Sequence, residues 1–81
     1  MEENKEVLKI GEANLKAGVR LFEVQKDNLE ELGKLRDEIK TDKARKLLDE
    51  TMMDIFKSLI DLEKANKGMR KQLEILKKII L

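Results

Sequence analysis

From Leu48 to Ile80 the chain reads LDETMMDIFKSLIDLEKANKGMRKQLEILKKII. Taken at alternating steps of four and three, positions 48, 52, 55, 59, 62, 66, 69, 73, 76 and 80 are Leu, Met, Ile, Leu, Leu, Asn, Met, Leu, Leu and Ile. This is an apolar seam interrupted once, by Asn66. An α-helix that keeps a 3.5-residue apolar period turns one continuous stripe toward a neighbouring helix and supercoils around it. The stretch therefore predicts a long helix built to pack on another helix.

Working toward the N-terminus, the same spacing recurs from about residue 3 to 39. One row is Val7, Ile10, Asn14, Ala17, Leu21, Val24, Asn28 and Leu35; a second, one step round, is Leu8, Leu15, Phe22 and Leu29, extended by Leu32 and Ile39. Two adjacent rows make a stripe of about 100° or more, wider than one two-stranded seam needs. Beside them lie Gly11, Gly18 and Gln25, so small residues a heptad apart let another backbone approach closely. Gly33 does not end the helix, because Leu35 and Ile39 carry the period through it. The stop falls at Ile39-Lys40-Thr41-Asp42, where Thr41 or Asp42 can cap the next helix through a side-chain oxygen. The second helix spans about 42 to 80 and has its own second row, Met53, Phe56 and Ile60, with Ile75 and Ile79 near its end. The apolar tail Ile79-Ile80-Leu81 is expected to be docked or to serve as a contact surface.

The fold class expected is all-α: one domain, residues 1–81, forming a long antiparallel helical hairpin that dimerises into a four-helix bundle with coiled-coil-like packing. The charges favour this sense. Residues 1–33 hold 5 basic and 8 acidic side chains and residues 51–81 hold 7 basic and 4 acidic, although the whole chain is close to neutral at +1. A turn near position 41 brings Glu2, Glu3 and Glu6 alongside Lys77 and Lys78. Glu12 with Lys16, Glu30 with Lys34, Glu63 with Lys67 and Glu74 with Lys78 stand in the favourable i, i+4 order. The same register brings Asn66 near Asn14, which predicts one buried polar layer whose amides bond each other or a symmetry mate.

Composition narrows the chemistry. The 81 residues contain no Cys, His, Trp or Tyr and only two Phe. That removes thiolate and imidazole metal ligands and the usual general base near neutral pH. Asp49, Glu50 and Asp54, or Glu30 and Glu31, are paired carboxylates, but such pairs in helical bundles recruit a Glu-x-x-His motif that this chain lacks. Lys57-Ser58-Leu59 has the look of the Asp-Ser-Leu site of acyl carrier proteins, yet Lys57 replaces the Asp and Ser58 falls inside an unbroken heptad. No catalytic, metal or cofactor site is expected, and no enzyme. No apolar run approaches the ~18 residues of a membrane span, and Met-Glu-Glu-Asn-Lys lacks the order of a signal peptide. The expectation is a soluble, cytoplasmic protein.

What remains is surface. The residues expected to form an oligomer interface are Phe22, Leu29, Leu48, Met52, Ile55, Phe56, Leu59, Leu62, Asn66, Met69, Leu73, Leu76 and Ile80. Val19 faces outward as a possible partner contact. Lys57, Lys64, Lys71 and Lys78 recur every seven residues on the face away from the seam, with Lys67 between them, about 10.5 Å apart along the axis. The leading functional expectation is a small non-enzymatic protein–protein interaction or assembly module, a homodimer with a further protein partner. The alternative is a nucleic-acid-binding regulatory hairpin that uses the lysine row, an arrangement similar to the helical-hairpin dimers that clamp paired RNA loops in plasmid copy control.

Overall fold

A computed structural model describes residues 2–80, with side chains from Lys5 to Ile80. Helix α1 runs Glu2–Leu35 and helix α2 runs Asp42–Ile80, with a 3₁₀ turn at Arg36–Glu38 between them. Among the described residues there is no strand, and no helix is long and apolar enough to cross a membrane. The two helices pair antiparallel into a rod of 61 × 15 × 14 Å.

The turn is built much as its residues dictate, with one difference. The first helix stops at Leu35, four residues before the expected end, because i→i+3 bonding tightens its last turn and aims the chain back. Ile39 is extended (φ −88°, ψ 120°) and its N–H donates to the Arg36 carbonyl at 3.2 Å. Thr41 caps α2 as expected: its Oγ1 accepts from the Ala44 N–H at 3.4 Å, and its carbonyl accepts from the Arg45 N–H at 3.0 Å. Two side chains then tie the corner. Arg45 Nε donates to the Ile39 carbonyl at 2.6 Å, and Arg36 makes a two-pronged bond to Asp49 at 2.7 and 3.0 Å. Gly33 lies within α1, so the helix does run through it.

The seam between the helices is formed by one row from each. On α2 it is the predicted row, with Leu59, Asn66 and Leu73 buried. On α1 it is the row of Leu8, Leu15, Phe22, Leu29 and Leu32, with Leu8 buried and the others half-buried. Gly11 and Gly18 lie in this face: a Cβ on Gly11 would come within 3.0 Å of Leu73 Cδ1, and one on Gly18 would overlap Asn66 Oδ1. The close approach expected of the two glycines is therefore present. The paired numbers, 11 with 73, 18 with 66 and 33 with 52, set the register two to three residues from the expected one. The other α1 row stays outside, with Val7 51%, Ile10 61%, Leu21 48% and Val24 47% exposed.

The ion pairs follow this register. Lys77 Nζ meets Glu12 Oε1 across the hairpin at 2.8 Å, so Glu12 is drawn from its expected partner Lys16 to the opposite helix. Of the four expected within-helix pairs, Glu63 with Lys67 forms, at 3.2 Å; the other three are not within 4.0 Å. Each such surface contact is weak in water. The side chains of Glu2 and Glu3, and the Leu81 end of the apolar tail, lie outside the described residues.

The turn pair makes a pH-dependent prediction. Hydrogen bonding from Arg36 holds the Asp49 carboxyl below its ordinary range, with the Arg36 charge adding to the effect. A carboxyl depressed in the folded state contributes stability above its unfolded value, about 3.9, and loses it as pH falls through the lowered folded value. Asp49→Asn is therefore expected to lower the thermal midpoint slightly at pH 7, with the difference from the parent chain gone by about pH 2. Thermal scans by circular dichroism across that window, at low salt, measure it.

Candidate functional site

The residues expected to carry an oligomer interface lie, with one exception, along the hairpin's own seam. Leu59, Asn66 and Leu73 are buried there, while Phe22, Leu29, Leu48, Met52, Ile55, Leu62, Met69 and Ile80 are half-buried and Leu76 is 37% exposed. The exception is Phe56, 51% exposed beside the seam together with Met53 and Ile60. Val19, expected to face outward, is half-buried and lines a groove beside the seam with Asn66 and Arg70.

The two asparagines do not meet. Asn66 is buried, 6% exposed, as its place in the seam requires, but its neighbour across the hairpin is Gly18. Asn14 belongs to the exposed α1 row and donates from Nδ2 to Met69 Sδ at 3.3 Å. The expected amide pair is thus corrected on two physical grounds: the α1 row facing inward is the other one, and the register is shifted. Asn66 Oδ1 is left buried with no hydrogen-bond partner. It lies against Gly18, one of the two seam glycines, where a Cβ would overlap it. A second polar contact across the seam, Ser58 Oγ donating to Gln25 Oε1 at 3.1 Å, is exposed.

The lysine row is as the heptad spacing requires. Lys57, Lys64, Lys71 and Lys78 are all exposed on the outer side of α2, and none makes an ion pair within 4.0 Å among the described residues. Lys67 lies apart from them, paired with Glu63 on the flank of the hairpin. Of the paired carboxylates, Asp49 is engaged by Arg36, and among the described residues no three acidic side chains converge as metal ligands would. What sequence reasoning left open is that the Val7, Ile10, Leu21 and Val24 row would be the exposed one. The glycines at 11 and 18 are the signal that could have decided it, since only the row beside them lets a facing helix approach closely.

No protein-family model, curated protein or solved structure matches this chain. Its reading therefore rests on its own residues.

The Asn66–Gly18 contact is testable from both sides. Gly18→Ala is expected to destabilise by about 1–2 kcal/mol, because the overlap with Asn66 outweighs the roughly 1 kcal/mol gained in helix propensity. Gly33→Ala, whose Cβ would lie 3.6 Å from Met52 Cε in ordinary contact, is expected to stabilise by about 0.5–1 kcal/mol. Asn66→Leu removes an unpaired buried amide and is expected to stabilise by about 1–3 kcal/mol. Urea unfolding at one fixed protein concentration ranks the three.

Proposed function

We propose that this chain is a non-enzymatic interaction or assembly module that works as a homo-oligomer, two hairpins forming a four-helix bundle. The observation that carries the reading is surface. The chain exposes 6788 Å², against about 5,000 Å² for a compact monomer of 9.4 kDa. The surplus, roughly 1,800 Å², is about twice the ~800 Å² per partner that a stable interface buries. Its Cα radius of gyration of 18.3 Å, against about 12 Å for a compact chain of this length, has the same cause: two long rods touch along one line and leave their other apolar rows uncovered. A second copy brings two further helices with the same unmet rows. The lack of Cys supports a reducing, cytoplasmic setting.

A second reading is favoured by the four unpaired lysines along α2. Spaced at about 10.5 Å, they could follow the phosphates of a nucleic acid or an acidic partner. Phosphate binding falls steeply with salt through counterion release, whereas an apolar protein contact does not.

Sedimentation equilibrium at micromolar concentration is expected to give twice 9.4 kDa, with a thermal midpoint that rises with protein concentration. A monomer with a concentration-independent midpoint would overturn the self-association reading. The lysine reading is checked by fluorescence anisotropy with a short RNA duplex across a salt series, where no binding at low salt ends it.

A further inference from the structure

The hairpin has two flanks of opposite character. On each helix, the residues just before the seam row in sequence fall on one flank and those just after it on the other; in an antiparallel pair, like falls with like. The contacts bear this out. Asn28 shares a groove with Thr51, Asp54 and Ser58 on the first flank, and Glu12 pairs with Lys77 on the second. The second flank is densely charged, with Lys9, Glu12, Lys16, Glu23, Lys26 and Glu30 along α1 alone. The first flank has no Lys or Arg. It carries the exposed Val7, Ile10, Leu21 and Val24 of α1 and, near the turn, Leu35 and Leu47; along α2 it carries Ala65, Gly68, Gln72, Ile75 and Ile79. Among the described residues of the two α-helices its charges are Glu31, Asp54 and Asp61, with Glu38 at the turn.

We propose that this flank, which carries no Lys or Arg among the described residues, is where a second copy docks, the two hairpins running in opposite directions about a two-fold axis at mid-length. This rests on the self-association reading above and adds the face and the orientation. With the axis between Leu21 and Val24, Leu21 of one copy meets the partner's Val24, and Ile10 meets the partner's Leu35. At the observed register the same axis crosses α2 near Leu62, so Leu47 comes within a turn of the partner's Ile79 and Thr51 within a turn of the partner's Ile75. The exposed apolar residues at the turn thus cover those at the open end. Each of two carboxylates faces an amide that can donate to it: Glu31 the partner's Asn14, and Asp54 the partner's Gln72. The alternative, a two-fold parallel to the helices with both turns at one end, keeps every residue at its own height. It gathers Glu31 and Asp54 of both copies at one level, four carboxylates together. Like charges held at close range disfavour it.

The test combines a distance with two variants. A nitroxide on Lys40→Cys, in the exposed turn, lies about 26 Å from the proposed axis at 1.5 Å per residue, so pulsed electron paramagnetic resonance is expected to give about 50 Å between the two labels. A distance below about 30 Å means turns at the same end and overturns the orientation. Leu21→Glu, at the centre of the flank, is expected to weaken association about a hundredfold by sedimentation equilibrium, while Phe56→Glu on the other flank leaves it within a few-fold. The reverse ranking moves the interface to the Met53, Phe56 and Ile60 side and overturns the face. Should Leu21→Glu lose its helical circular dichroism, the label distance, which leaves both helices unaltered, decides alone. An unmodified chain that stays monomeric removes the self-association reading itself, a result distinct from either failure above.

Discussion

One helix can cover only one stripe of another, and this constraint governs the molecule. Each helix here carries two apolar rows and meets one partner, so half of its apolar surface has nowhere to go within the chain. Among the described residues the seam buries three apolar side chains, Leu8, Leu59 and Leu73. Everything else that is apolar lies half-covered or in the open, from Val7 at the free end to Leu47 at the turn. The rod shape and the surplus surface follow from the same arithmetic, and the self-association proposed above is its simplest resolution.

The close approach at Gly18 fixes how the seam is assembled. Asn66 fills the seam at that level, and only a residue without a Cβ leaves it room. Shifting α1 by one heptad would put Asn66 against Gly11 or Gln25. Turning the helix to its other row would put it against Ala17 or Asn14, and neither glycine would then face α2. An unpaired buried oxygen costs stability, yet a polar seam position paired with one small residue disfavours other registers, as a lone Asn does in coiled coils. The turn agrees with the same register, because Arg36 in the 3₁₀ turn reaches Asp49 on α2.

Much of this architecture was legible in the residues themselves. Apolar period, the Thr41 cap and the absence of Pro determined two long helices and a turn close to position 40, because these are local properties that helix geometry translates directly; the opposite charges of the two ends pointed to the antiparallel sense. The α2 seam, with Asn66 inside it, was equally plain, since that row runs the length of the helix while the second one, Met53, Phe56 and Ile60 with Ile75 and Ile79, covers only parts of it. Only the tertiary structure decided which α1 row turns inward, that Asn66 faces Gly18 and not Asn14, and that Glu12 pairs with Lys77 and not Lys16. The physical reason is that periodicity measures how far apolar residues lie apart, not which of two equally apolar stripes a neighbour selects. That selection depends on how closely two backbones can approach, and it is made where both helices are present, at Gly11 and Gly18.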